Sequence, residues 1–303
     1  MAVGPRILVL LGATASGKSE LALALASRLG AEILSVDSMQ VYRYMDIGTA
    51  KPSKQEQQQV RHHLINLVDP DQEFTVARFV EMADQVLAEA ANRGKWIIAT
   101  GGTPLYYKAL FEGLFEGPSA DVQLRSKLRT LDGRQLHERL ARIDPAAAER
   151  IHANDIKRLI RAIEVFELTG KPISEHQTEW SEDRRRYDAS WFGLYWEKEQ
   201  LNRRINARVR RMIDAGLKDE VLSLLDRFEL SKTAAEATGY SQMIRHIRGE
   251  ISMDDAAEDI KIATRQLARR QMKWFRRFKN VQWITANQSI DQQIDNVLKS
   301  RNF

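Results

Sequence analysis

The residues with the clearest chemical potential form a short glycine-rich loop near the start of the chain. Gly12, Gly17, Lys18 and Ser19 fit the pattern G-x-x-x-x-G-K-[ST]. In this pattern backbone N–H groups surround phosphate groups, the lysine neutralises their charge and the hydroxyl binds Mg²⁺. The pattern therefore predicts a phosphate site with Ser19 as a ligand of Mg²⁺. The predicted loop comprises Gly12, Ala13, Thr14, Ala15, Ser16, Gly17, Lys18 and Ser19.

Asp37 is the second candidate, because it follows the apolar run EILSV closely. An acidic group at the C-terminal end of a strand beside a phosphate loop lies in the crevice where open α/β sheets bind ligands. It could act as a general base, hold Mg²⁺ indirectly or serve as a structural cap. A P-loop kinase needs a further acid that binds Mg²⁺, usually at the end of a hydrophobic strand. The run WIIATGG ends without one.

The elements around these residues predict their positions. The apolar run 6–11 has the pattern of a buried strand, and 18–29 has the pattern of a helix that ends at Gly30. A loop between a strand and a helix N-terminus favours an anion, because N–H groups and the helix dipole point at it. Further strand patterns (EILSVDS, KWIIATGG) alternate with a helix pattern near 75–93. This alternation predicts an α/β core with a parallel sheet.

After Gly113 the pattern changes to helices, including LRSKLRTL, LHERLARI and DIKRLIRAIEVFELTG, and the run 190–196 (SWFGLYW) then has the pattern of a strand. The sequence therefore predicts a P-loop NTPase-like parallel sheet core with an all-helical insertion domain. The predicted core comprises 1–117 and 188–303, and the insertion comprises 118–187.

The last third of the chain is predicted to be helical. In the run 260–278, helical spacing predicts one apolar core face. Basic residues recur every fourth position beside that face, and no acid follows Asp259 in this helix. The predicted face is Ile260, Ala263, Leu267, Trp274 and Phe278, and the basic positions are Lys261, Arg265, Arg269, Lys273 and Arg277.

Composition limits the function classes. The 303 residues include no cysteine, which excludes disulfides, thiolate metal sites and cysteine nucleophiles. No run resembles a signal peptide or approaches the length of a membrane span, so we expect a cytoplasmic protein that does not bind a membrane. The net charge is +5, and the segment 203–279 alone carries a larger basic excess. Such a patch favours a polyanionic partner, and a basic surface without a partner is the alternative.

Two runs carry a resemblance to a known family. DSMQVY at 37–42 and MDIGTAKP at 45–52 are similar to the signature of the tRNA dimethylallyltransferases, also called isopentenyltransferases. Further blocks resemble the family in the same order and cover nearly the whole chain: HHLI, GGTPLY, ADVQLR, KRLIRAIEVFELTGKPIS, RINARVRRMIDAGLKDEV, TGYSQM and TRQLARRQMKWFRR. Tyr44 stands where the family has Gly.

The resemblance implies an activity and its partners. The family transfers a dimethylallyl group from dimethylallyl diphosphate to the exocyclic amine of the adenine just 3′ of the tRNA anticodon, and it uses no ATP for this reaction. The phosphate loop would then hold the allylic diphosphate with Mg²⁺. The helical insertion would bind the anticodon stem-loop of tRNA. We expect a monomer, and whether the loop also binds ATP stays open.

The resemblance also assigns site residues. It implies Asp37 as the base, with Thr103 and Arg208 near the diphosphate or the adenine. Further tRNA contacts are assigned by the resemblance or, for the last two residues, by the basic positions: Ser38, Met39, Gln40, Arg125, Lys157, Arg158, Leu159, Ile160, Arg161, Glu236, Ala237, Thr238, Gly239, Tyr240, Ser241, Arg265 and Arg269.

Two other functions compete with this one. The first is a P-loop kinase of a nucleoside or small metabolite, with Asp37 as base and ATP as donor. The missing acid after WIIAT and the basic C-terminal third count against it. The second is an RNA-binding module whose phosphate loop is vestigial, which the intact Gly12, Gly17, Lys18 and Ser19 disfavour.

Overall fold

The computed structural model describes residues 4–113, 117–178 and 186–300, so parts of the predicted domains at 1–3, 114–116, 179–185 and 301–303 lie outside the described residues. Its centre is a sheet with the spatial order β3-β2-β4-β1-β5-β6, in which neighbouring strands pair in parallel. The strands are β1 (Arg6–Gly12), β2 (Glu32–Ser35), β3 (His62–His63), β4 (Trp96–Thr100), β5 (Ser190–Tyr195) and β6 (Gln282–Thr285). The predicted α/β class with a parallel sheet is confirmed.

The helices are α1 (Lys18–Leu29), α2 (Lys54–Gln59), α3 (Val76–Asn92), α4 (Pro104–Glu112), α5 (Val122–Leu128), α6 (Gly133–Ile143), α7 (Pro145–Arg150), α8 (Ile156–Thr169), α9 (Ile173–Thr178), α10 (Lys198–Asp214), α11 (Leu217–Arg227), α12 (Lys232–Ala235), α13 (Tyr240–Ile247), α14 (Met253–Phe275) and α15 (Ile290–Lys299). Helix α1 matches its predicted limits, and α3 begins after its cap Thr75 as the pattern indicated.

Strand β1 is buried on both faces of the sheet. Leu8 and Leu10 pack with Leu21 and Leu25 of α1, and the alternate residues Ile7, Val9 and Leu11 are also buried. Successive side chains of a strand point to opposite faces, so a strand covered on both sides is apolar throughout. This packing fixes the strand from which the phosphate-loop candidate leaves.

The chain divides into two compact units. The first comprises Met1–Leu110 with Tyr187–Phe303 and contains the sheet. The second comprises Phe111–Arg186, and its described residues form α5 to α9 around a core that includes Leu128, Leu140 and Leu159. Within the described ranges, no helix is both long and apolar enough to cross a membrane.

The C-terminal third differs from the sequence prediction in two respects. It contains β6, whose pattern is weak because only Ile284 of its four residues is buried. In addition, α14 ends at Phe275, and its buried face is Ala256, Ile260, Thr264, Ala268, Gln271 and Phe275. The predicted apolar face was wrong in part: of its five residues only Ile260 is buried, Ala263, Leu267 and Trp274 are half-buried, and Phe278 lies beyond the helix. The buried stripe includes two polar residues with hydrogen-bond partners, which an apolar pattern alone does not identify.

Candidate functional site

The candidate site lies where three loops follow three adjacent strands. β4 pairs with both β1 and β2. The glycine-rich loop follows β1, Asp37 comes shortly after β2, and residues 101–103 follow β4 directly. Because the C-terminal ends of parallel strands lie at the same edge of a sheet, the three loops meet in one crevice.

The glycine-rich loop turns sharply into α1. Gly17, the N-cap of α1, has a φ of 94°, in the left-handed region that glycine adopts readily. The Ser16 N–H donates to the Ala13 carbonyl at 3.1 Å, and the buried Lys18 Nζ donates to the same carbonyl at 3.3 Å. Ser19 is exposed in the first turn of α1. The loop thus places a lysine and a hydroxyl at a helix N-terminus, where an anion is favoured.

The charge of Lys18 depends on its surroundings. Burial and the nearby Arg208 guanidinium lower the pKa of Lys18 to about 8, against an opposing contribution from Asp37. The ammonium form of Lys18 therefore predominates only below about pH 8. A bound phosphate would stabilise the charged form, because opposite charges at short range favour ionisation.

This titration predicts the pH dependence of anion binding. The affinity for pyrophosphate should fall as pH rises above about 8, because the deprotonated lysine no longer attracts the anion. In Lys18→Arg this loss should be absent, since a guanidinium stays charged. Calorimetric titrations from pH 6 to 10 measure both proteins, and the ratio of their affinities cancels the protonation of pyrophosphate itself. A ratio that is constant with pH would contradict the assignment.

Asp37 is held by two backbone donors. Its Oδ1 accepts from the Met39 N–H at 2.9 Å and its Oδ2 accepts from the Gly102 N–H at 3.1 Å. The side chain is half-buried. A carboxylate has about four lone-pair positions, so two further positions can accept protons or contact a cation. The arrangement fixes the direction of the carboxylate and leaves it able to act as a base.

Thr103, just after β4, is hydrogen-bonded to the DSMQ run (residues 37–40). Its Oγ1 accepts from the Ser38 N–H at 2.9 Å and donates to Ser38 Oγ at 3.1 Å. Gln40 is fixed by a hydrogen bond from Ser35 Oγ at 2.8 Å. Met39 packs partly into the core of this unit. The structure therefore places Asp37, Ser38, Gln40 and Thr103 close together; their contacts with substrates stay a prediction.

Arg208 joins this group from α10. It is close enough to Lys18 to lower its pKa and to Asp37 to be influenced by its charge. Its side chain also lines a cavity of about 590 Å³ with Met212 and with residues of the MDIGTAKP run, including Ile47 and Lys51. The positive charges of Lys18 and Arg208 thus both lie near the Asp37 carboxylate.

The MDIGTAKP run is anchored by a single carboxylate. Glu220 of α11 accepts from the backbone N–H groups of Asp46, Ile47 and Gly48 at 2.9, 2.7 and 3.2 Å. It also accepts from the Tyr240 hydroxyl at 2.6 Å. Tyr240 is buried, and its ring lies so close to Gly48 that a side chain at 48 would overlap it. Within the predicted RNA-binding run Glu236 to Ser241, the Tyr240 side chain therefore supports the loop from inside.

This anchor predicts a stability effect. Glu220→Gln should destabilise the folded protein by about 1–3 kcal/mol, because charge-assisted hydrogen bonds weaken and an amide N–H₂ opposes backbone donors. Tyr240→Phe removes one of the four bonds and should cost about 0.5–1.5 kcal/mol. The midpoint of urea unfolding measures both. A Glu220→Gln midpoint equal to that of the unaltered protein would show that the loop is held by other contacts.

In the second unit, Arg125 and Arg161 bind one buried carboxylate. Arg125 donates through Nε and Nη2 to Glu164 at 2.8 Å each, and Arg161 Nη1 donates to it at 2.7 Å. Burial of Glu164 would raise its pKa, but the hydrogen bonds from Arg125 and Arg161 outweigh this effect and lower it. Arg125 thus links α5 to α8 through Glu164, whereas Arg161 pairs with Glu164 within α8. The contact of both arginines with tRNA stays a prediction.

The rest of the predicted run in α8 is divided between two faces. Lys157 and Arg158 are exposed, whereas Leu159 and Ile160 belong to the core of the second unit. The side chains of Leu159 and Ile160 are thus not accessible to RNA. The helical period turns every third to fourth position inward, which leaves the outward positions of α8 accessible, and contact of this run with tRNA stays a prediction.

The basic positions of α14 also form two groups. Lys261 and Arg265 pair with Glu258 at 3.2 and 2.7 Å, and Arg265 is half-buried. Arg269 and Lys273 are exposed, and neither forms an ion pair with an acid in the described part of the chain. Free positive charge is thus concentrated in the C-terminal half of α14. Of the two predicted tRNA contacts on this helix, Arg269 carries a free charge and Arg265 is paired with Glu258, and contact of either with tRNA stays a prediction.

Gln271 is a site residue that the sequence patterns did not indicate. Its side chain is 4% exposed, accepts from the Thr14 N–H at 2.8 Å and donates to the Gly102 carbonyl at 2.7 Å. The signal in the sequence was a long polar side chain within a helix whose neighbouring turns are apolar. Buried amides of this kind are hydrogen-bonded, which makes them candidates for linking separate loops.

The chain is similar to known proteins over nearly its whole length. The family model described as IPP transferase matches residues 40–278. The tRNA dimethylallyltransferase of Acetivibrio thermocellus is 44% identical over 300 residues, covering 97% of this chain and 96% of the relative. That of Geobacter metallireducens is 45% identical over 298 residues, with coverage of 97% and 96%.

Solved structures of similar proteins share the fold of this chain. The crystal structure of a tRNA isopentenylpyrophosphate transferase from Bacillus halodurans superposes with a TM-score of 0.72 at 36% identity, covering 97% of this chain and 94% of the other. A eukaryotic dimethylallyltransferase acting on tRNA superposes with a TM-score of 0.82 at 27% identity, covering 98% of this chain and 77% of the other.

Proposed function

Since the chain belongs to the IPP transferase family of tRNA dimethylallyltransferases, we propose that it transfers a dimethylallyl group from dimethylallyl diphosphate to the exocyclic amine of the adenosine 3′ of the anticodon in tRNA. The observation that carries this proposal is the carboxylate of Asp37, which accepts from one backbone donor in its own loop and one in the loop after β4 and lies close enough to Lys18 to influence its pKa. This arrangement suits transfer to a weak nucleophile.

The residues supply the steps of such a transfer. The bond between the allylic carbon and the diphosphate oxygen breaks, and the carbon forms a bond to the adenine nitrogen. The nitrogen loses a proton, which Asp37 can accept as a general base. The leaving diphosphate gains charge, and Lys18 and Arg208 can neutralise it together with the N–H groups of the loop.

The adenine must leave its stack to reach this crevice, because an amine inside a stacked helix is inaccessible. The DSMQ run, fastened by Thr103, offers fixed polar groups at the place where the base would arrive. We assign Ser38 and Gln40 to holding the base and Asp37 to accepting its proton.

Mg²⁺ fits the donor set, which consists of oxygen atoms. In the described part of the chain no group of three or more His, Asp or Glu residues could hold a metal. Mg²⁺ in phosphate sites is commonly held by few protein groups, with substrate oxygens and waters completing its shell. Ser19 is the protein ligand that we propose, and the bound ion would neutralise charge on the diphosphate.

The kinase alternative finds less support in the geometry. β4 is followed by Gly101 and Gly102, so no acid stands at that strand end to hold the Mg²⁺ of a nucleoside triphosphate.

The deciding experiment incubates the protein with tRNA, dimethylallyl diphosphate and Mg²⁺ without ATP, followed by mass analysis of the nucleosides. A dimethylallyl adenosine is the expected product. ATP-dependent phosphorylation of a small acceptor with unmodified tRNA would overturn the proposal.

For the RNA contact, we propose that the C-terminal half of α14 binds the tRNA backbone. Arg269→Gln with Lys273→Gln should lower the salt dependence of tRNA binding by roughly 1.4–1.8 in slope, since each lost phosphate contact removes about 0.7–0.9. Filter binding between 50 and 300 mM KCl measures it.

The matched control is Lys261→Gln with Arg265→Gln. It removes the same charge from the same helix, but from residues that Glu258 already neutralises. This control should change the slope far less. If tRNA binding by both double variants and by the unaltered protein had the same salt dependence, this face of α14 would be a solvated surface that does not bind tRNA.

A further inference from the structure

Gln271 links two of the three site loops through one buried side chain. Its Oε1 accepts from Thr14 in the loop after β1, and its Nε2 donates to Gly102 after β4. The Thr14 N–H is therefore directed at a protein acceptor, unlike the loop amides that can face a phosphate. The side chain belongs to α14 and sets the separation of two loops that α14 itself does not contain.

The link continues to the carboxylate. The N–H of Gly102 donates to Asp37 Oδ2 at 3.1 Å, and the carbonyl oxygen of the same residue accepts from Gln271 Nε2. A Cβ at position 102 would lie 2.8 Å from Gln271 Nε2 and 2.9 Å from Asp37 Oδ2. Gly102 is thus enclosed between the two side chains, and a shift of Gln271 is transmitted to Asp37 through the backbone.

We propose that Gln271 is a positioning residue for the transfer, which sets the place of the Asp37 carboxylate relative to the loop that holds the diphosphate. The inference rests on the proposed function. Its chemical basis is that transfer requires the proton acceptor, the amine and the allylic carbon to be aligned at once. Gln271 touches none of these groups and acts through Gly102 and Thr14.

Removal of the amide has a defined consequence. Gln271→Met keeps the length of the side chain and leaves the Thr14 N–H and the Gly102 carbonyl without their partner. The loops after β1 and β4 are then no longer held at a fixed separation. We expect kcat to fall by roughly 10- to 100-fold, as for a misplacement of the Asp37 carboxylate on the order of 1 Å. The KM for tRNA should stay within about 2-fold, because the Gln271 side chain is 4% exposed and both its polar atoms are bonded within the protein.

The test is a double-mutant cycle with Asp37→Asn in single-turnover transfer. If Gln271 acts through Asp37, Gln271→Met should lower the rate by less than about 3-fold in the Asp37→Asn background, where no carboxylate remains to be aligned. The matched control is Gln293→Met. Gln293 is also a buried glutamine, but its Nε2 donates to the carbonyls of Ala286 and Gln288 at 3.3 and 2.9 Å. This control should retain the rate.

Should Gln271→Met not fold, Gln271→Glu replaces it in the same cycle. The carboxylate can still accept from Thr14, but it opposes the Gly102 carbonyl, so the same loss of kcat is expected. The proposal would be overturned if the substitution at Gln271 lowered the transfer rate by the same factor with Asp37 and with Asp37→Asn. It would also be overturned if Gln293→Met lost as much rate as the Gln271 variant. If the unaltered protein transfers no dimethylallyl group, the proposed function fails instead, which separates the two outcomes.

Discussion

Asp37→Asn should lower the rate of dimethylallyl transfer by roughly 10² to 10⁴, because the amide cannot accept the proton of the adenine amine. Pyrophosphate affinity should change little, since Lys18 and the N–H groups of the loop remain. The measurement is single-turnover transfer at saturating tRNA as a function of pH and Mg²⁺. The two oxygens of Asp37 each accept one backbone N–H, so the amide keeps one bond and opposes the other.

The loss of transfer rate in Asp37→Asn requires a control for disorder of the loop that carries Asp37. Thr103→Val removes the hydroxyl that fastens Ser38 and leaves the Asp37 carboxylate intact. A smaller loss of rate in Thr103→Val than in Asp37→Asn would separate proton transfer from positioning. If Asp37 anchors Mg²⁺ instead, Asp37→Asn should weaken pyrophosphate binding in the presence of Mg²⁺, and excess Mg²⁺ should restore the rate. Full restoration would remove the assignment as a base.

The sequence was sufficient for the parts of the site that depend on local patterns. The loop between β1 and α1 was predictable because an apolar strand, a glycine motif and a helical period follow each other without interruption. Asp37 was predictable because it closes a strand. In both cases the side chains lie within a few residues of the element that positions them.

Other parts of the site depend on long-range contacts that leave no local pattern. Gln271 bonds to Thr14, which lies 257 positions away, and Glu220 bonds to Ile47, which lies 173 positions away. Strand β6 escaped prediction because one buried residue gives no alternation. The departure at Tyr44 is explained only by the structure, where its φ of 64° suits glycine and the Arg227 guanidinium lies 4.0 Å from its ring centroid.

Gly101→Ala should lower the transfer rate by roughly 10²-fold, because it displaces the strand ends that carry the site. A Cβ at 101 would overlap the backbone carbonyl of Val36, which also accepts from the Thr103 N–H at 3.2 Å. Backbone atoms cannot rotate away as a side chain would. The ends of β2 and β4 must separate, which disrupts the bonds between Gly102 and Asp37 and between Thr103 and Ser38. Single-turnover transfer measures the loss.

Gly94→Ala distinguishes loss of geometry from loss of stability. Gly94 lies in the turn before β4 with a φ of 64° and open space around its Cα, so alanine there costs about 1–2 kcal/mol of backbone strain without displacing the site. Both variants should unfold at lower urea concentrations, but only Gly101→Ala should lose transfer at a temperature where both are folded. A Gly101→Ala protein that is folded and fully active would show that the close approach of β2 and β4 is not what aligns Asp37. Equal losses in both variants would assign the effect to stability alone.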